Sequence, residues 1–327
     1  MLAGEKKTNR VRIALTGFEL AKAEDRPPVN VAIVIDASGS MSGQKIAQAR
    51  NAAIAAIHRL QDSDIVSVVL YNSSAQVLVP ATRATDPAQI INKIRSITAD
   101  GSTALFAGVS KGAAEVRKFL DSESVNRVIL LSDGKANVGT KSPRELERLG
   151  ASLVKEGISV STLGLGLNYN EDLMSSLAAA GSGNHVFIEE ADDLVAVFNS
   201  EFNDLMSAVA GDFRIEATVA EGVRPVRVLG NKADISGSKV NIPLAQLYAR
   251  QQRYFVLEVE VDAGQADTSQ PLISVSVEYT NLVTETRDKL SSSVAIRFSD
   301  SVAEVQRDRD LETYAYCAVQ ILSLIHI

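Results

Sequence analysis

Asp36, Ser38 and Ser40 stand two residues apart within the stretch Val29 to Ser42, directly after the run Val31-Ala32-Ile33-Val34-Ile35. One carboxylate and two hydroxyls make a set of oxygen donors, which suits a hard cation such as Mg²⁺. The run before them is β-branched and lacks polar alternation, as in a strand buried on both faces of a parallel sheet. It stops at Asp36, the small residues Ala37-Ser38-Gly39-Ser40 let the chain turn sharply, and Gln44 to Leu60 reads as a helix. The donors therefore fall at the carboxyl end of a central strand, where open α/β sheets hold their ligands. The plainer reading of this stretch by itself is a Ser/Gly turn in which Asp36 caps the helix.

Two later stretches follow the same grammar. Thr103 lies in Asp100-Gly101-Ser102-Thr103-Ala104-Leu105, and Asp133 ends a second apolar run, Val128-Ile129-Leu130-Leu131-Ser132-Asp133-Gly134. DxSxS, then GST, then SDG, in this order on an alternating α/β chain, resembles the von Willebrand factor type A (VWA) domain over about Pro28 to Val209. The resemblance implies a metal-ion-dependent adhesion site (MIDAS) in which Ser38, Ser40 and Thr103 bind the metal through hydroxyls. Asp36 and Asp133 would then act directly or through water. It also implies Mg²⁺ or Mn²⁺ as the ion, and a partner protein whose Asp or Glu carboxylate completes the octahedron. In the family the closing helix and the loop after the last of these ligands shift when that carboxylate arrives. In layout the whole chain is similar to bacterial proteins that join a VWA domain to a downstream β-domain, akin to inter-alpha-trypsin inhibitor heavy chains.

Composition narrows the function classes. The chain has 327 residues, long enough for two domains of ordinary size, and 46% are apolar, which supplies ample core. A net charge of −7 and the lack of a basic cluster with interleaved aromatics argue against nucleic acid or an anionic membrane as partner. The single cysteine, Cys317, offers neither an internal disulfide nor a zinc site, and leaves the redox compartment open. Met1 to Arg10 is charged and without an apolar h-region, and no run of apolar residues is long enough to span a membrane. A periplasmic or secreted location follows if the amino terminus is incomplete. Leu322-Ser323-Leu324-Ile325-His326-Ile327 resembles the in-frame translation of a sequencing-library adaptor, so the natural chain is expected to continue past about Ile321.

The elements that must position the donors are a doubly wound, mostly parallel sheet flanked by helices, a Rossmann-like α/β architecture. The strands are expected at Val29 to Asp36, Ile65 to Tyr71, Ala75 to Val79, Val125 to Ser132, Gly157 to Leu165 and Asn184 to Ile188. The short connection Asn72-Ser73-Ser74 makes the second and third of these antiparallel. Helices are expected at Pro87 to Ile97, Thr103 to Leu120, Pro143 to Lys155, Asn170 to Ala180 and Asp192 to Val209. From Gly211 the pattern changes to period-two strands, among them Phe213-Ile215-Ala217-Val219, Phe255-Leu257-Val259-Val261 and Ile273-Val275-Val277-Tyr279, which predicts a β-sandwich. Turns at Asn231 to Asp234 and Asp262 to Gly264 separate them, and a helix starts at Val302. The alternation Val11-Ile13-Leu15 matches these strands, so residues 1–27 are assigned to the sandwich, with the VWA unit at 28–210 inserted into it. The sandwich proper then covers 211–300 and a truncated helix 301–327.

Rival chemistries fit less well. Gly134 to Ser142 is a near miss for a phosphate-binding loop, because Thr140 displaces Lys141 by one place; it reads as a solvated loop with the lysines Lys135 and Lys141. Aspartyl phosphatases need a second carboxylate two residues after the first, and here that position is Ser38. His58 and His185 read as structural, and Asp62, Asp64, Glu189, Glu190, Asp192 and Asp193 as solvated helix-end charges. The expectation is a metal-dependent protein-binding module and not an enzyme. The alternatives are an accessory subunit of an ATPase-driven chelatase or chaperone complex, a metal-dependent hydrolase, and a structural module with a vestigial site.

Overall fold

The computed structural model describes residues 1–20, 26–134, 136–140, 142–167, 169–229, 233–307, 310 and 313. The chain opens with strand β1 (Lys7–Thr16) and then enters an α/β unit. The unit's six strands are β2 (Val29–Asp36), β3 (Ile65–Tyr71), β4 (Ala75–Arg83), β5 (Val125–Ser132), β6 (Ile158–Leu165) and β7 (Ser182–Ile188). They lie in the order β4-β3-β2-β5-β6-β7, parallel except for the β3–β4 hairpin. All eight residues of β2 are buried, as its unbroken apolar run requires at the middle of the sheet.

Alternate residues of β2 feed two separate cores. Val31, Ile33 and Ile35 face the helices α1 (Gln44–Ile57), α2 (Pro87–Arg95) and α6 (Leu194–Met206). Ala32 and Val34 face α3 (Leu105–Val116), α4 (Pro143–Lys155) and α5 (Glu171–Ala180). Glycine lets α3 approach the sheet closely: a Cβ on Gly112 would sit 2.5 Å from Val34 Cγ2, and one on Gly108 would sit 2.7 Å from the Tyr71 ring. Asp86 caps α2 by accepting from Gln89 N at 3.0 Å, and Asn170 caps α5 through Leu173 N.

Three expectations need correction here. Thr103 does not open a helix, because α3 starts at Leu105 and Thr103 stays in the preceding loop. The closing helix is shorter at both ends than 192–209. A 3₁₀ turn spans Ala191–Asp193, and Ala208 already begins strand β8 (Ala208–Val219), where it pairs with Tyr248. Asp64 is not a solvated charge. It is wholly buried, takes a fork from Arg26 at 3.0 and 2.6 Å, and accepts from Val29 N and Gln61 N. That clamp ties the entry into β2 to the start of β3.

The remaining strands are β9 (Val223–Leu229), β10 (Asp234–Ser236), β11 (Lys239–Ile242), β12 (Gln246–Tyr248), β13 (Gln252–Val261), β14 (Ser269–Asn281) and β15 (Thr286–Arg297). One sheet runs β1-β13-β9; the other runs β10-β11-β8-β14-β15, with β12 also on β8. Ile13, Phe255, Leu257 and Val259 from the first pack with Ile215, Ala217, Ile273 and Val277 from the second in one core. This is a β-sandwich of the expected kind. β1 pairs antiparallel with β13 along its whole length, from Lys7↔Val261 to Thr16↔Gln252, and the α/β unit runs between β1 and β8. Helix α7 (Val302–Arg307) follows β15. Asn231 and Lys232 of the expected turn, most of the chain after Arg307, Cys317 and the stretch 322–327 lie outside the described residues. Among the described residues no helix is long and apolar enough to cross a membrane.

His58 caps the carboxyl end of α1 and is exposed, whereas His185 is half-buried in β7. Thr162 Oγ1 gives its hydrogen to the Met174 carbonyl, so it accepts from His185 Nδ1 at 2.8 Å. Nε2 is then free to accept from the Tyr169 hydroxyl at 3.2 Å. Burial pushes the imidazole pKa below its usual 6.5, against a smaller opposing pull from Glu171. A depressed folded pKa contributes stability above the unfolded value that is lost as the pH falls through the folded one. Stability is therefore expected to drop between about pH 7 and about pH 5, and to drop less in His185→Gln. Urea midpoints across that range would check it; equal losses in the two proteins would rule out the buried neutral ring as the cause.

Candidate metal centre

Four loops meet at the carboxyl end of the parallel strands, and backbone bonds stitch them together. Ala37 N reaches Tyr71 O, Gly39 N reaches Gly101 O at 3.0 Å, and Asp100 N reaches Ala37 O at 2.7 Å. Ala104 N reaches Asn72 O at 2.7 Å, and Asn137 N reaches Thr103 O at 3.1 Å. Gly101 has φ +84°, and a Cβ there would meet Ser73 Oγ at 2.9 Å, so the position needs glycine. After Asp36 the chain makes a 3₁₀ turn, Gly39–Met41, anchored by the fully buried Met41.

The structure brings Asp36, Ser38, Ser40, Thr103 and Asp133 together in this corner. Asp36 Oδ1 accepts from Ser38 N at 2.9 Å, and Oδ2 accepts from Ser132 Oγ at 2.8 Å. The hydroxyls of Ser38 and Ser40 are 3.1 Å apart, and Ser40 donates to Asp133 Oδ1 at 2.7 Å. Thr103 enters from the third loop, its N–H held by Asn137 Oδ1 at 2.7 Å. A Cβ on Gly134 would meet Ser40 Oγ at 3.3 Å and Thr103 Oγ1 at 3.4 Å, so the two hydroxyls flank one point across that glycine. Asp36, Ser38, Thr103 and Asp133 are buried and Ser40 is exposed, which leaves the cluster open to solvent on one side.

Two buried carboxylates this close repel one another. Burial foremost, and then the charge of Asp133, raise the Asp36 pKa above the ordinary carboxylate value, while hydrogen bonds from Ser38 and Ser132 pull it down. Burial and the neighbouring Asp36 also push the Tyr71 hydroxyl well up. The donor set is three hydroxyls and two carboxylates, and among the described residues no group of three His, Cys, Asp or Glu side chains assembles, in this corner or outside it. All-oxygen donors of this kind fit a hard divalent ion that keeps some of its waters.

Sequence reasoning missed three supporting residues. Ser132 orients Asp36, and its only signal was a hydroxyl at the end of a buried strand. Asn137 clamps Thr103 from a loop that read as solvated, although Ala136 beside it is buried. Lys45 places Nζ 2.5 Å from Asp133 Oδ2. Lys135 and Lys141 of the same loop lie outside the described residues.

Comparison with known proteins places the α/β unit in a family. The family model for the von Willebrand factor type A domain matches residues 30–200, just over half of the chain. An uncharacterised Escherichia coli protein, YfbK, is 30% identical over 197 residues, 60% of this chain and 34% of that one. An uncharacterised Synechocystis protein, sll0103, is 28% identical over 77% of this chain and 62% of its own length. Human inter-alpha-trypsin inhibitor heavy chain H4 is 30% identical over 57% of this chain and 21% of its own length. The chain thus spans between a fifth and three fifths of these relatives. Two solved structures share the fold over sandwich and α/β unit alike. A von Willebrand factor type A protein from Catenulispora acidiphila has a TM-score of 0.77 at 20% identity, covering 93% of this chain and 72% of that one. The ArnB paralog VWA2 from Sulfolobus acidocaldarius has a TM-score of 0.69 at 21% identity, covering 98% and 79%. With the family model matched over residues 30–200, more than half of its length, the chain belongs to the von Willebrand factor type A domain family.

Proposed function

We propose that this protein is a metal-dependent protein-binding module, in which a divalent cation at Asp36, Ser38, Ser40, Thr103 and Asp133 coordinates an Asp or Glu carboxylate of a partner. The observation that carries the reading is the convergence of these oxygen donors from three loops, buried on the sheet side and open at Ser40. Hydroxyl ligands leave a divalent ion under-neutralised, so it stays electrophilic toward an incoming anion. Mg²⁺ and Mn²⁺ are the ions that this donor set favours. Hydrolysis fits less well, because the position two residues after Asp36 is a serine and not the second carboxylate that an aspartyl phosphatase uses as general acid. The chelatase- or chaperone-type accessory subunit remains a variant of the same binding chemistry with a different partner.

A peptide array tests the reading. Peptides that carry Asp or Glu are expected to retain the protein in Mg²⁺ or Mn²⁺, and to release it in EDTA or when the acid becomes Asn or Gln. Retention indifferent to EDTA would reject metal-dependent binding.

A further inference from the structure

Lys45 is the second residue of α1, where the positive end of the helix dipole disfavours a cation. Its ammonium nevertheless lies 2.5 Å from Asp133 Oδ2, with the lysine side chain one third exposed (33%) and the aspartate side chain wholly buried. Asp133 Oδ1 is already taken by Ser40, so the lysine holds the remaining oxygen of a proposed metal-bearing carboxylate. A lysine ammonium is a compact point charge, suited to one oxygen where an arginine fork would claim both. Gln44 and Gln48, the other polar side chains of that helix turn, reach away to Asp192.

We propose that Lys45 is a built-in countercharge that sets the anion demand of the metal site. This rests on the metal-binding reading above. The groups in contact are two carboxylates and one ammonium, for a net single negative charge. A divalent cation turns that into a net single positive charge, whereas the same site without Lys45 would be neutral. The lysine thus weakens hold on the metal and strengthens the pull on an anionic ligand, which makes the loaded site select carboxylate over a neutral donor. Lys45 is a specificity-determining residue that acts through Asp133 without being a ligand.

The test compares wild type, Lys45→Met, Lys45→Gln and Lys45→Arg, with Asp36→Ala as the metal-site control. Mn²⁺ binding is read by calorimetry, and acetate as carboxylate probe by the fall in water proton relaxation as it replaces water on bound Mn²⁺. Both neutral variants are expected to bind Mn²⁺ about tenfold or more tightly, since a unit charge beside a divalent ion changes affinity that much even when water-screened. They are expected to need correspondingly more acetate for the same displacement, and Lys45→Arg, which keeps the charge but not the one-oxygen geometry, is expected to stay closer to wild type than either neutral variant. Neutral variants with unchanged or weaker Mn²⁺ affinity, while Asp36→Ala loses it, would overturn the role of Lys45 and leave the metal site standing. No Mn²⁺ uptake by wild type would instead overturn the metal site, and Lys45 with it.

Discussion

Asp36→Ala is expected to abolish Mn²⁺ uptake while the protein stays folded. Asp36 is the last residue of β2 and the pivot of the corner, holding Ser38 through its N–H and Ser132 through its hydroxyl. Without it the β2–α1 turn loses the acceptor that aims the hydroxyl of Ser38, and the cation loses half of the carboxylate charge. The core beneath is untouched, because Val31, Ile33 and Ile35 carry the packing. The cost of leaving two donors unpaired is partly offset, since burial and Asp133 both disfavour the ionised Asp36 that is removed. A ligand at a hundredfold excess over its Kd stabilises the native state by about 2.7 kcal/mol, so wild type is expected to melt several degrees higher in Mn²⁺. The variant is expected to show no such rise. Unchanged Mn²⁺ affinity in Asp36→Ala, measured by calorimetry, would remove Asp36 from the site.

The largest expected loss of stability comes from the opposite end of the sheet. Arg127 of β5 is wholly buried, donates from Nη1 to Glu201 of α6 at 2.7 Å, and donates from Nε to Ser159 of β6 at 2.9 Å. Its guanidinium also lies 5.1 Å from the ring centroid of Tyr248, and Nη2 reaches Gln246 at 3.4 Å, both on β12. Burial lowers the guanidinium pKa, and the charge of Glu201 opposes that shift. Arg127→Met would leave Glu201 buried beside its hydrogen-bond donors Ser161 and Asn184, without the guanidinium that faces it. Removing one member of a buried pair costs about 3–5 kcal/mol, because the other charge is stranded. Arg127→Met with Glu201→Gln is expected to recover much of that loss, as coupled neighbours are not additive. Urea unfolding of the two single variants and the double would measure the coupling. A single variant within about 1 kcal/mol of wild type would show that the pair carries little.

What the sequence made legible follows from how local each signal is. β2, β5 and β6 were readable almost to the residue: apolar runs fill most of β2 and the second half of β5, and β6 sets small residues between apolar ones. Asp36, Ser38 and Ser40 share one turn and could be singled out by type and spacing, whereas Thr103 and Asp133 joined them through the order of motifs that resembles the family. Lys45 could not, because a lysine on a helix reads as a solvated charge until its partner is seen across the fold. Asp64 was misread for the same reason: nothing near it announces Arg26. The strands β10 and β12 have three residues each, too few for any period to show. β15 begins well before its apolar residues because it is an edge strand with little to bury.

The pairing of β1 with β13 has a consequence for how the molecule is made. Thr16 pairs with Gln252 and Lys7 with Val261, so the first strand leaves the ribosome long before its neighbour exists. At typical synthesis rates the wait is on the order of ten seconds or more, ample time for the intervening α/β unit to fold by itself. During that wait β1 is an unpaired strand with one apolar side, the kind of edge that nascent chains use to aggregate. Its other side carries Arg10 and Arg12, with Lys6 and Lys7 at its start, and lysine and arginine on an exposed edge discourage pairing with a stray strand. Two of these charges find glutamates once β13 emerges: Arg10 reaches Glu258 at 3.3 Å and Lys6 reaches Glu260 at 3.1 Å. Arg10 and Lys6 thus serve the early strand twice, first against stray pairing and then in recognising its late partner.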